Sequence, residues 1–376
     1  MAYIDKLAEV TLGKKSYKKF PVILNKHHIL NRLVLKYFLS HRIVWSENTL
    51  HTYSKHLCDF FSQLEVENPE ASFDHINDVW LEAYAYQILE RNQNSPVYIS
   101  QILTTVIHFL VWCEDNGYCK NLIGPTSSFK IQIISDEDSV THQLIKHFAK
   151  KKSPLKLAPK EEWISKVLAV NHFKSNRLET RFSLMADWAL KAGLRAHEIC
   201  ALNIDQIPTR ERIERSKIDK ENLYIDLIVT KGGKRDSIPV NSDLLKRTRD
   251  YIDFERQEVI KKFRQKASLE KQIYDPAKEI FLSLKTGQAL HPRTLSNQIK
   301  SAWHQVVKSG ELTEDQHVWT HGLRHRFTTN QLKGFSKADH IRNPQRVVKL
   351  LTRHKHESTV DIYTARLHLE GEGIDE

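Results

Sequence analysis

Between Leu223 and Val240 an otherwise helical chain changes its period. LYIDLIVT and KRDSIPV are short β-rich runs, and Lys231, Gly232 and Gly233 separate them, which predicts a hairpin with Lys231 at a tight, exposed turn. Elsewhere apolar residues recur at spacings of three and four. Leu50, Tyr53, Leu57, Phe60, Phe61 and Leu64 share one face of a helix capped by Ser46, and Val79 to Leu89 gives another. Ile99, Ile102, Leu103, Val106, Ile107 and Leu110 line a third helix from Val97 to Cys113, which Gly117 stops. Such a chain folds mainly as α-helices with one small antiparallel sheet. Its 376 residues, 40% of them hydrophobic, are enough for two ordinary cores.

The pattern divides the chain into four stretches. Residues 1–27 carry Lys14, Lys15, Lys18 and Lys19 around few apolar anchors and read as a basic arm, loose without a polyanion. Residues 28–124 read as a helical bundle. In residues 125–156 the periodicity weakens, and the cluster Lys146, Lys150, Lys151 and Lys152 suggests a connection that touches something anionic. Residues 157–376 form the second unit, mixed α/β but mostly helical. Its helices are predicted around Trp163 to Leu168, over LETRFSLMADWALKAG, from Arg195, over Ser242 to Ala267, over Thr294 to Lys308, and from Leu323 onward.

Charge narrows the partner. With 57 Lys and Arg against 46 Asp and Glu, the formal net charge is +11, which favours a polyanion such as nucleic acid. The first twenty residues contain no apolar run that would serve as a secretory core, and no stretch reads as membrane-spanning, so a soluble, cytoplasmic protein is expected. Cys58, Cys113, Cys119 and Cys200 form no C-x-x-C pair, and three of them fall in apolar helical patterns. The histidines, for example His27 with His28 and His354 with His356, lack the helical spacing and acidic companions of a catalytic zinc site. Neither metal nor cofactor is expected.

Four segments concentrate residues suited to phosphate chemistry: KAGLRAHEICAL, VTKGGKRDSIPV, HGLRHRFTTNQL and LLTRHKHESTVDIYT. Singly each is ordinary. An Arg opening a helix is usually solvated, a Lys in a Gly-rich hairpin is usually a turn charge, and a Tyr in a last helix usually packs. Together, in this order, they resemble the signature regions of the tyrosine recombinases. Gly193, Leu194, Arg195 and Glu198 resemble the family's Gly-Leu-Arg-x-x-Glu pattern. His321 to His325 is similar to its His-x-Leu-Arg-His stretch, His354 and Tyr363 keep its nine-residue interval, and Lys231 falls where its hairpin lysine stands. The resemblance covers about residues 28 to 365.

The resemblance implies a two-domain DNA clamp, with an N-terminal helical core-binding bundle and a C-terminal catalytic domain, and a catalytic set of Arg195, Lys231, His321, Arg324, His354 and Tyr363. Attack on a phosphodiester builds negative charge on two non-bridging oxygens, which bidentate guanidiniums match well, so Arg195 and Arg324 are the expected clamp. His321, three positions before Arg324 on one helical face, is expected to take the tyrosine proton or hydrogen-bond the phosphate. Lys231 would protonate the leaving hydroxyl, and His354 would add a hydrogen bond. Tyr363 would hold the strand as a 3′-phosphotyrosine ester, conserving bond energy for rejoining without metal or ATP. Glu198 is expected to orient the site, against the plainer reading of an i, i+3 partner. His325 reads as structural rather than catalytic.

The family further implies double-stranded DNA at specific sites as substrate, a dimer on each site and a tetramer in the synapse, accessory directionality proteins, and a mobile-element role. Type IB topoisomerase-like relaxation and an inactive DNA-binding protein are the alternatives. Four departures stand out. Arg353 occupies the place of the Gly that usually precedes the His, the stretch from Gly334 to Leu350 is a few residues longer than usual, the Lys231 to His321 interval is extended, and only a short acidic tail follows Tyr363. Arg353 is a candidate extra phosphate contact.

Overall fold

In the computed structural model the chain forms two compact units, Met1–Leu155 and Lys156–Glu376. The structure describes residues 1–12, 15–67, 72–136, 139–150, 157–170, 173, 175–219, 221–228, 236–338, 341–353, 361 and 363–364.

The first unit opens with strands β1 (Tyr3–Leu12) and β2 (Lys15–Leu24), paired antiparallel from Tyr3↔Leu24 to Leu12↔Lys15. Where charge predicts a loose basic arm, the chain therefore makes a hairpin. The reason is a second pattern threaded between the lysines. Tyr17, Phe20, Val22 and Ile23 are buried, whereas Lys6 and Lys19 stay exposed. Helices α1 (Arg32–His41), α2 (Glu47–Glu67), α3 (Asp78–Glu90) and α4 (Pro96–Asp115) follow, with Asn31, Asn77 and Ser95 as side-chain N-caps on α1, α3 and α4. The buried faces predicted for α2 and α4 meet in one core with the hairpin. By length and composition α4 could cross a membrane, contrary to the expectation that no stretch could. Ten of its residues, among them Ile99, Leu103, Phe109 and Leu110, are buried within this unit, so its apolarity is that of a central core helix.

The stretch expected to be a linker mostly belongs to the same unit. Strands β3 (Ile123–Gly124) and β4 (Ile131–Gln132) pair in parallel, β5 (Ile134–Asp136) and β6 (Ser139–Thr141) pair antiparallel, and α5 (Gln143–Lys150) packs on α4. Ile131, Ile133 and Phe148 enter the core, and buried His142 contacts Asp78 at 2.8 Å. Short apolar pairs between polar residues carry too little period to announce this from sequence.

The second unit contains α6 (Glu161–Ala169), α7 (Asn176–Lys191), α8 (Ala196–Cys200) and α9 (Arg210–Ile218). The predicted hairpin follows as β7 (Leu223–Leu227) and β8 (Asp236–Val240), in register from Leu223↔Val240 to Leu227↔Asp236. Leu223, Ile225, Leu227, Ile238 and Val240 alternate inward onto the helices. The single helix expected over Ser242 to Ala267 is two, α10 (Ser242–Asp253) and α11 (Glu255–Leu269), because the backbone leaves helical geometry at Phe254. The last helices are α12 (Pro292–Lys308), α13 (Thr320–Ser336) and α14 (Pro344–Thr352). Trp188, Met185, Leu295, Ile299 and Leu323 centre the core on which α7, α8, α12 and α13 converge.

Candidate active site

Three separated segments of the second unit meet around one carboxylate. After α7 the chain turns at Gly193 with φ +63°, and a Cβ there would stand 2.4 Å from the Phe327 ring. The turn delivers Arg195, in extended backbone, to the start of α8. The Arg195 main-chain N–H donates to Glu198 Oε2 at 2.8 Å, and its Nη1 donates to Oε1 at 3.0 Å. Glu198, three positions on, has no solvent exposure while the Arg195 side chain keeps 21%.

α13 brings Arg324, also without exposure, to the same point. Its terminal amines donate to the main-chain carbonyls of Gly193 and Thr352, and its Nη1 stands 3.9 Å from Glu198 Oε2. Arg353, one residue past α14, reaches the carboxylate directly, with Nη2 2.7 Å from Glu198 Oε2. Burial opposes the charge on Glu198, but Arg353, the Arg195 amide, and the Arg195 and Arg324 guanidiniums outweigh it and hold the carboxyl below its usual range. For Arg324 the balance runs the other way. Burial, with Arg195 and Arg353 as like charges, pulls its pKa down to about 9, so it remains a cation at neutral pH.

Tyr363 is 2% exposed and packs with Leu332 and Val348. Its Oη lies 2.5 Å from His325 Nδ1. His325 stands one turn beyond His321 on α13, with ring centroids 4.4 Å apart. The histidine read from sequence as structural thus stands at the tyrosine hydroxyl. His321 and Arg324 share a face but differ in depth: His321 is exposed and Arg324 is fully buried. A concavity of about 480 Å³ is lined by Arg195, His197, Lys300, His317, Trp319 and His321. Lys300, midway along α12, therefore shares a surface with Arg195 and His321.

Lys231 and His354 lie outside the described residues. The other expected residues, Arg195, Glu198, His321, Arg324 and Tyr363, are gathered in this one region. The signals for the two additions were visible. His325 adjoins Arg324 in the motif, and Arg353 departs from it.

Residues 164–369, more than half of the chain, match the model of the phage integrase family. A search of curated proteins finds no match. Among solved structures, the chain is similar to a XerH site-specific recombinase bound to palindromic difH substrate in a post-cleavage complex, at 18% identity and TM-score 0.55, covering 87% of this chain and 80% of that one. It is similar to lambda integrase, residues 75–356, in a dimer bound to a COC′ core site, at 14% identity and TM-score 0.58, covering 89% and 94%. A third likeness is to the Tn1549 transposon integrase in complex with transposon right end DNA, at 13% identity and TM-score 0.59, covering 90% and 98%. The family match and the fold define an enzyme of the tyrosine recombinase class. The chain belongs to the phage integrase family, and neither the topoisomerase nor the inactive-binder alternative is favoured.

Proposed function

We propose that the chain cuts and rejoins double-stranded DNA at specific sites of a mobile element, with Tyr363 as the nucleophile. The observation that carries this reading is the convergence on one region of the second unit of Arg195 and Glu198 with Arg324 and Tyr363, which follow them by more than a hundred residues. Arg195 and Arg324 supply the guanidinium charge that a pentavalent phosphorane demands. Glu198 keeps Arg195 in place. Of the two roles open to His321, the His325 contact with Tyr363 favours the hydrogen bond to phosphate, leaving His325 to receive the phenolic proton. Lys231 protonates the leaving hydroxyl and His354 assists at the phosphate. The first unit acts as the core-binding domain and the second as the catalytic domain, closing on duplex DNA as a clamp. Two protomers occupy each site and four form the synapse, in keeping with the DNA-bound dimer reported for lambda integrase.

The test uses nicked duplexes tiled across the DNA that flanks the gene. Wild-type protein is expected to form a denaturation-resistant protein–DNA adduct on one of them. Tyr363→Phe is expected to bind that duplex and form none. An adduct formed by Tyr363→Phe refutes the assignment.

A further inference from the structure

Arg353 combines three properties that a surface arginine does not. Its backbone is left-handed, φ 55° and ψ 44°, in a region that favours glycine and strains side-chain-bearing residues. Its side chain is 8% exposed, although a guanidinium is expensive to bury. And its Nη2 makes the shorter of the guanidinium contacts to Glu198, 2.7 Å against 3.0 Å for Arg195 Nη1, on the other carboxylate oxygen. Its Nε also stands 3.8 Å from Asp236 Oδ2, at the base of the β8 strand.

The consequence follows from the geometry of the carboxylate. Glu198 has two oxygens: Oε1 takes Arg195 Nη1, and Oε2 takes both the Arg195 amide and Arg353. Arg353 thus pins the second oxygen and fixes the plane that orients the Arg195 guanidinium. Because Arg353 immediately follows α14, the same contact ties the segment leading to Tyr363 to the turn that carries Arg195. Through Asp236 it also faces the strand that continues the hairpin. Burial depresses the pKa of Arg353 while Glu198 opposes the loss, in line with a cation retained by its partner.

We propose that Arg353 is a positioning residue of the strand-cleavage site, acting through Glu198 to fix Arg195 and the approach of Tyr363. The inference rests on the recombinase reading above.

Single-turnover adduct formation on the nicked duplex that the wild type cleaves, at saturating protein, is compared with DNA affinity for Arg353→Gly, Arg353→Lys, Glu198→Gln and the Arg353→Gly/Glu198→Gln double variant. Glycine relieves the backbone and Arg195 and Arg324 still face Glu198, so Arg353→Gly is expected to stay folded at the assay temperature, as its melt checks, and to bind DNA equally well. Its cleavage is expected to slow at least about ten-fold, as a coupled site residue should. Arg353→Lys is expected to recover part of the rate, and the double variant to be no slower than Glu198→Gln alone. Wild-type cleavage by Arg353→Gly overturns the proposal, as does equal slowing in both Glu198 backgrounds. Loss of DNA binding alongside cleavage overturns it too. Absence of any adduct from wild-type protein instead defeats the recombinase reading and this inference with it.

Discussion

His325 Nδ1 meets the hydroxyl of Tyr363 at 2.5 Å, within hydrogen-bond reach for proton transfer. Removing a general base costs about 100- to 10,000-fold in rate. His325→Gln is therefore expected to slow adduct formation by about that factor while DNA affinity holds. His321→Gln, whose exposed ring faces the concavity, is expected to weaken binding as well as chemistry. Equal rates for His325→Gln and wild type would return the proton to another acceptor.

Gly193 links α7 to Arg195 through a positive φ and leaves no room for a side chain. Gly193→Ala places a methyl 2.4 Å from Phe327, against an aromatic ring that is itself buried, and strains the backbone. Overpacking and left-handed strain each cost about 1–3 kcal/mol. The expected result is a clear fall in melting temperature and, because Arg324 donates to the Gly193 carbonyl, loss of cleavage beyond what the lost stability explains. Differential scanning calorimetry beside the adduct assay measures both. An unchanged melt would show that Phe327 yields freely.

In the first unit, His56 on α2 hydrogen-bonds Thr105 on α4 at 2.8 Å within the core. Burial pulls its pKa from 6.5 to about 4. The unfolded chain binds the proton more readily, so the contribution of His56 is fully present above pH 6.5 and is lost as pH falls toward 4. The loss is on the order of 3 kcal/mol at the acid end. Urea melts of the intact chain between these limits are expected to show falling stability in wild type and a flatter profile in His56→Gln. Parallel profiles would remove His56 from the acid response.

Lys300 shares the concavity with Arg195 and His321, and the chain carries a net charge of +11. Phosphate contacts release counterions, so affinity should fall linearly in log–log form with salt. Lys300→Ala is expected to lower the magnitude of that slope by about one if Lys300 holds one phosphate. Fluorescence anisotropy across a salt series reads it. A slope identical to that of wild type would turn Lys300 away from the backbone.

Legibility in the sequence followed range. Local chemistry was readable: the periodic faces of α2 and α4, the hairpin flanking Lys231, the helix start at Arg195, and Glu198 three positions on, whose carboxylate reaches back to the Arg195 amide across a single turn. Each is set by residues within a few positions of one another. The catalytic assembly was readable only as an ordered set of types and intervals, which made Tyr363 nameable but left its neighbour open.

The tertiary structure decided what depends on contacts between distant segments. It set His325, one turn beyond His321 on α13, against the hydroxyl of Tyr363. It folded the basic N-terminus into a hairpin, since Tyr17 and Phe20 find a core that α1 and α2 supply from later in the chain. It also turned Arg353 from a motif irregularity into a partner of Glu198, 155 residues away in sequence, at a backbone angle that no residue type announces by itself. A side chain's identity fixes what it can bond. Which partner stands there is settled when burial brings segments together and leaves their charges no other company.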